Sequence, residues 1–265
     1  MKRVFHCMLQ VCSACQQDCN GCVTEIARHK FPDYHMSLEA VENFLRVVQD
    51  SDYFFSRLWL NGFGEPLLWK HLEEGIKILS KSKHIGSLLI RSNGINTAAV
   101  SQDVLSSITE LSLSKYKTNR EEIDELVAKH GSRIKVLAPA KFIKLKGWSA
   151  DIPCSCICSG PCIIEDIALV YCGSVIFSRD TTIRLQKAGK ITEEDVQNLR
   201  YDNWVEYVKK FLPENGVVKV QEGFLDSILH MQNDNDFATK NLDACRYCFG
   251  NRNFTGTGDF YSYDI

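Results

Sequence analysis

Short apolar runs alternate with amphipathic segments along the first half of the chain. Residues 4–11 are an apolar run followed by a cysteine-rich loop, which predicts a buried strand. In residues 36–48, apolar side chains recur at helical spacing and Ser37 occupies an N-cap position, which predicts a helix. The same reasoning predicts strands at 57–60, 87–91, 110–114 and 133–137, and helices at 70–82, from about residue 97, and at 119–130.

Strands that alternate with helices of this length indicate parallel βα units, and therefore an α/β fold. Five such units are too few to close an eight-unit barrel, so we expect a partial, TIM-like (β/α) barrel. Its functional site is expected at the carboxyl ends of the strands. The cysteine-rich loop follows the first strand, which places it at that edge.

The pattern changes after about Pro139. From there we expect a second, smaller domain, so the predicted domains are residues 1–140 and 141–265. The extended runs 163–171 and 174–178, on either side of Cys172-Gly173, predict a β-hairpin, and helices are expected from Thr192 and over 203–211.

Twelve cysteines stand out in a composition that is otherwise ordinary for a globular protein, with 45% hydrophobic and 24% charged residues. They form three groups, at residues 7–22, 154–172 and 245–248, and such clustering indicates metal ligands. The first residues form no apolar signal segment, so we expect a reducing, cytoplasmic compartment and no disulfide framework. The net charge of −2 and the lack of an apolar run near the roughly 20 residues that span a bilayer predict no nucleic-acid and no membrane partner.

Three of these cysteines, Cys15, Cys19 and Cys22, have the spacing C-x3-C-x2-C. Three thiolates so close in sequence can hold three irons of a four-iron cluster and leave the fourth iron open to a substrate or cofactor. A zinc site that also uses Cys12 is the alternative, because it would provide two C-x2-C pairs. Zinc ribbons separate such pairs by about fifteen residues or more, which disfavours zinc here.

The loop after the second predicted strand reads Asn-Gly-Phe-Gly-Glu-Pro, residues 61–66. Gly62 and Gly64 permit backbone conformations closed to other residues and allow a ligand to approach closely. A simple strand-to-helix turn, with Pro66 ending the strand, is the alternative interpretation.

Together, the thiol triplet and this loop resemble the radical S-adenosylmethionine (SAM) enzymes. The resemblance implies that the three cysteines hold a 4Fe-4S cluster whose free iron chelates the amino acid end of SAM. It also implies a SAM-binding role for loop and strand residues, although a turn or a satisfied strand hydroxyl explains the serines and Asn93 equally well. The implied SAM-binding residues are Phe63, Gly64, Glu65, Pro66, Ser92, Asn93, Ser112 and Ser114. One departure is Gly21, because the family usually has an aromatic residue there, near the adenine.

The later cysteines resemble the twitch domain, a shortened form of the SPASM domain that holds an auxiliary iron–sulfur cluster. This resemblance implies a β-hairpin plus helix at the C-terminal end and one auxiliary 4Fe-4S cluster. Cys154, Cys156 and Cys172 stay open as alternatives for one ligand, because the cysteine expected after Gly173 is replaced by Ser178. The resemblance implies Cys162, Cys245 and Cys248 as ligands, and we prefer Cys158 as the fourth because it is near Cys162 in sequence.

The whole layout is similar to the radical SAM cyclitol dehydrogenases of aminoglycoside biosynthesis. The similarity implies an oxidoreductase that acts on a small polar substrate, such as a sugar or cyclitol, with flavodoxin or ferredoxin as reducing partner. Modification of a ribosomal peptide or protein is an alternative, and a non-enzymatic binding module stabilised by zinc or a cluster is another. The sequence identifies no catalytic residue and no particular substrate.

Overall fold

The computed structural model describes residues 1–19, 22, 24–116, 118–137, 142–144, 161–169, 177–212, 216–227 and 259–261. The strands in these ranges are β1 (Lys2–Gln10), β2 (Tyr53–Asn61), β3 (Leu88–Ser92), β4 (Glu110–Ser114), β5 (Ile134–Leu137), β6 (Phe142–Lys144), β7 (Cys162–Ile164), β8 (Ile167–Leu169), β9 (Val217–Lys219) and β10 (Asp259–Tyr261). The helices are α1 (Glu25–Lys30), α2 (Leu38–Gln49), α3 (Leu72–Leu79), α4 (Gln102–Ser107), α5 (Arg120–His130), α6 (Arg179–Lys187), α7 (Glu193–Gln197) and α8 (Trp204–Lys209).

One open sheet of eight strands forms the centre of the described chain, in the order β5-β4-β3-β2-β1-β7-β8-β9. Strands β1 to β5 pair in parallel, each with the next along the chain, and β7 also pairs in parallel with β1. The alternation of strands and helices predicted from the sequence is therefore confirmed. The carboxyl ends of the first four strands lie at one edge, where the loops that follow them meet.

Helix α2 shows how local sequence sets these elements. Ser37 accepts a hydrogen bond from the Ala40 backbone N–H at 3.0 Å, as its predicted N-cap role requires. Phe44 and Val48 are fully buried, and the Phe44 ring lies 5.8 Å from that of Phe55 on β2. The apolar side of the helix thus fastens the first β-α-β unit. None of the helices in the described ranges is long and apolar enough to cross a bilayer.

Near the carboxyl ends of β1 to β4, the sheet has one apolar face and a second face on which polar residues lie beside the row Met8, Trp59 and Leu89. Leu9, Leu60, Ile90 and Leu111 pair in register and are fully buried on the apolar face. Side chains alternate along a strand, so the residues between them point to the other face. That second face, here called the polar sheet face, carries Gln10, Trp59, Asn61, Arg91, Glu110, Ser112 and Lys135.

The first arm of the predicted hairpin, the run 163–171, contains a turn of its own. Strands β7 and β8 are antiparallel, and the chain turns at Glu165-Asp166, where Glu165 has a φ of +53°. The run 163–171 is therefore not one extended strand, because its two polar residues form the turn. Cys172-Gly173, the expected tip, lies outside the described residues.

Strands on both sides of the predicted domain boundary belong to the same sheet. Strand β7 continues it next to β1, and β8 and β9 extend it further. Ser178, which replaces an expected cysteine, is the N-cap of α6 and accepts a hydrogen bond from the Thr181 N–H at 3.1 Å. The division at residue 140 and the twitch assignment stay predictions.

Candidate functional site

The loops that follow β1 to β4 are joined by backbone and side-chain hydrogen bonds. The Gly64 N–H donates to the Cys12 carbonyl at 3.0 Å, and the Glu65 N–H donates to the Ala14 carbonyl at 2.7 Å. On the other side, Asn119 Nδ2 donates to the Asn93 carbonyl at 2.9 Å. The first two contacts join the cysteine loop to the loop after β2, and the third joins the loop after β4 to the loop after β3.

Two glycines make the contact between the first two loops possible. A Cβ on Gly64 would overlap the carbonyl oxygens of Ser13 and Ala14, and a Cβ on Gly62 would lie 2.8 Å from the Cys12 carbonyl oxygen. The backbone that approaches these glycines is that of the cysteine loop itself, and the predicted approach of a ligand stays a prediction.

Glu65 fastens the second and third loops from inside. It is 2% exposed, and its carboxylate accepts hydrogen bonds from the Asn93 N–H at 2.7 Å and the Leu67 N–H at 3.0 Å. Burial raises the pKa of this carboxyl group, although the two backbone N–H groups act in the opposite direction. Glu65 thus fixes the backbone around the thiols.

The three thiols of Cys15, Cys19 and Cys22 are half-buried in the first loop. Burial, together with the neighbouring Cys22 and Cys15, raises the pKa of Cys19 to about 11. Burial also raises the pKa of Cys15, so both are thiols at neutral pH unless a metal displaces the protons. In the described ranges, no three His, Cys, Asp or Glu side chains are already close enough to form a metal site.

Buried donors beside these thiols fit an anionic, acceptor-rich group. Arg28 on α1 donates to the Gln17 carbonyl and to Asp18 Oδ1, and its side chain is only 10% exposed. Its Nε and the Gln17 Nε2 are both buried without a hydrogen-bond partner. Cluster sulfurs accept such hydrogen bonds, so three thiols with a cation and two open donors suit an iron–sulfur cluster.

Cys12 differs from the triplet in its surroundings. Its side chain is fully buried, and its Sγ donates to the Glu65 carbonyl at 3.0 Å. This contact ties Cys12 to the loop after β2, which favours a three-thiol set over a zinc site with four.

The predicted SAM-binding residues contribute in different ways. The Phe63 side chain is fully buried against Phe31 and Phe177, so only its backbone faces the loops. Pro66 begins a short 3-10 helix, and Gly64 and Glu65 form the loop contacts already described. The SAM-binding assignment of these residues stays a prediction.

The predicted serines and Asn93 lie on or next to β3 and β4. Ser92 accepts a hydrogen bond from the Gly94 N–H at 2.9 Å, in a turn where Gly94 has a φ of +75°. Asn93 Nδ2 lies 3.8 Å from Cys15 Sγ, which brings the third loop to the thiols. Ser112 donates to Glu110 at 2.6 Å, and it shares one strand face with Ser114, as predicted.

Of the four predicted ligands of the auxiliary cluster, only Cys162 lies in the described part of the chain. Cys162 is fully buried on β7, and Gln10 Nε2 donates to its Sγ at 3.3 Å. The other three predicted ligands, Cys158, Cys245 and Cys248, lie outside the described residues, as does the alternative Cys172. The auxiliary cluster stays a prediction.

Sequence reasoning missed several residues around the thiols. These residues are Arg28 and Asn119, which form the hydrogen bonds described above, and Tyr116. Burial raises the pKa of Tyr116, and Cys19 raises it further, so its phenol lies close to the thiol loop. Its position two residues after Ser114, at the end of a predicted strand, was the only signal in the sequence.

The described chain has a mixed α/β fold with a central parallel sheet, and this fold matches that of BtrN, a radical SAM cyclitol dehydrogenase. The chain superimposes on the crystal structure of BtrN in complex with AdoMet and 2-DOIA with a TM-score of 0.53, 14% identity, and 94% of each chain covered. Selenomethionine BtrN in an open conformation gives a TM-score of 0.46 and 14% identity over 79% of this chain and 86% of that one. The predicted likeness to the radical SAM cyclitol dehydrogenase is thus confirmed for the fold. No protein family and no curated protein matches the sequence.

Proposed function

We propose that this protein is a radical SAM enzyme that oxidises a small polar molecule. The observation that carries the proposal is the thiol triplet, which lies in the loop after β1 of a chain with the BtrN fold. Cys15, Cys19 and Cys22 would hold the cluster. When bound, the reduced cluster supplies an electron to SAM, and the resulting deoxyadenosyl radical removes a hydrogen atom from the substrate.

The chain's own residues position these groups. Arg28 and Gln17 offer hydrogen bonds to the cluster, and Glu65 keeps the second and third loops together. The backbone of Gly62 and Gly64 lies beside the cysteine loop, where it can present carbonyl groups to the SAM amino group. A reducing partner such as flavodoxin or ferredoxin would deliver the electron.

Dehydrogenation requires the substrate to lose a hydrogen atom, then one electron and one proton. The four auxiliary ligands predicted from the sequence would hold a second 4Fe-4S cluster that accepts this electron. One SAM is then consumed per product, without an external oxidant in a single turnover. A sugar or cyclitol is the proposed substrate class, because the polar sheet face carries Gln10, Asn61 and Ser112, which can bond hydroxyl groups.

The test of the reaction type is product mass after one turnover with reduced protein, SAM and a panel of sugars and cyclitols. A product two hydrogens lighter than its substrate supports dehydrogenation. A product of unchanged mass with inverted stereochemistry would mean an epimerase. Turnover on peptides alone would assign the protein to the peptide-modifying enzymes and overturn the proposed substrate class.

A further inference from the structure

One row of polar residues crosses the sheet at its carboxyl edge, next to the cysteine loop. Gln10 pairs with Asn61, and Arg91 pairs with Ser112, which pairs with Lys135. The β2–β3 register runs through Leu60 and Ile90, so Asn61 and Arg91 are neighbours in the same row. The row therefore contains one polar residue from each of five adjacent strands.

The row carries unbalanced positive charge. Arg91 and Lys135 are both exposed, and within the described ranges no carboxylate forms an ion pair with either. Glu110, an acidic residue on this face, accepts a hydrogen bond from Ser112 instead.

Arg91 is held in a defined position. Its guanidinium carbon lies 5.6 Å from the ring centroid of Trp59, which is half-buried on the neighbouring strand. A guanidinium group that stacks on an aromatic ring keeps its N–H groups available, because they point outward in the guanidinium plane. There they can bind two oxygens of one anion. Lys135, at the end of the row, adds positive charge but lacks the paired N–H groups of a guanidinium.

The row lies close to the thiols, and its length suits a small molecule. Asn93 contacts Cys15 and is two residues beyond Arg91 on the chain, which corresponds to about 7 Å along a strand. Gln10 is fully buried at the other side of the row, and its Oε1 has no hydrogen-bond partner. It lies two strands from Arg91, or about 10 Å. A small molecule can span that distance.

We propose that the substrate is a small hydroxylated molecule carrying a phosphate or carboxylate group, with the anion on Arg91 and a hydroxyl group donating to Gln10 Oε1. This inference rests on the proposed function and narrows its substrate class. When the anion binds at Arg91, the carbon atoms that carry the hydroxyl groups lie next to the cysteine loop, where a hydrogen atom can be removed.

The test is calorimetric binding to anaerobically reconstituted protein. The probes are glucose, gluconate and glucose 6-phosphate, so that a neutral sugar, a carboxylate and a phosphate share one carbon skeleton. At least one anionic probe is expected to bind about tenfold or more tightly than glucose. Gluconate and glucose 6-phosphate differ in which anion they present, so their relative affinities identify the anion that is preferred.

Variants locate the binding. Arg91→Gln should weaken binding of the anionic probe about tenfold or more, and Arg91→Lys by less, because lysine keeps the charge and loses the paired N–H groups. Arg46→Gln, with the same charge change on exposed Arg46 of α2, is the control and should leave affinity unchanged. Equal affinity for all three probes, or unchanged affinity in Arg91→Gln, would overturn the inference.

SAM cleavage separates this inference from the proposed function. If the native protein cleaves no SAM, the proposed function fails while the anion-binding result still stands. If SAM is cleaved and the anionic probes bind no better than glucose, only the substrate class is wrong.

Discussion

Arg28 is the residue with the most unusual surroundings in the site. It is a nearly buried cation on α1, six residues after the last thiol, and only one exposed carboxylate, Asp18, is paired with it. Its Nε points to no acceptor among the described residues. A buried donor without an acceptor is costly, and a single exposed carboxylate compensates a nearly buried cation poorly, so a negatively charged cluster beside Arg28 would account for both.

Replacement of Arg28 by glutamine should lower the midpoint potential of the cluster. Reduction adds an electron, and a nearby positive charge stabilises the reduced form. We expect a shift on the order of tens of millivolts to more negative potential, measured by a redox titration followed by electron paramagnetic resonance. Arg28→Lys keeps the positive charge, so its midpoint potential should stay close to that of the native protein. An unchanged potential in Arg28→Gln at full iron content would contradict this role.

At the scale of elements, the site depends on the contact between the cysteine loop and the loop after β2. A Cβ on Gly64 would meet two backbone carbonyl oxygens, which cannot move aside as a flexible side chain could. The alternation of polar and apolar residues predicted β4 and α2 closely, because caps and periodicity are local properties. It missed α6, whose sequence Arg-Asp-Thr-Thr-Ile-Arg-Leu-Gln-Lys has few apolar positions.

Gly64→Ala should destabilise the protein and abolish SAM cleavage. The new methyl group forces the two loops apart, at a cost of about 1–3 kcal/mol in the free energy of unfolding. Denaturant unfolding and deoxyadenosine release measure the two effects. Gly131→Ala is the matched control, because nothing lies within 4 Å of a Cβ there. Native stability and native SAM cleavage in Gly64→Ala would show that the loop contact is not needed.

At the scale of the whole molecule, the sheet joins distant parts of the sequence. Strand β7 has three residues and pairs with β1, more than 150 positions earlier. Such a pairing leaves no local pattern, so the sequence predicted the five-strand parallel part and not its extension through β7 to β9. Charge behaves similarly: the net charge of −2 gave no sign of the positive row on the polar sheet face, which exists only after the strands pair.

The most direct test of the account is SAM cleavage by the anaerobically reconstituted, reduced protein, with deoxyadenosine quantified by mass spectrometry. The native protein should release deoxyadenosine, and the variant with Cys15, Cys19 and Cys22 all replaced by alanine should release none. Cys7→Ala should retain cleavage, because Cys7 is fully buried on β1, in register with Leu58 on the apolar face. Release at the native rate by the triple variant, or a native protein that binds zinc and leaves SAM intact, would contradict the account.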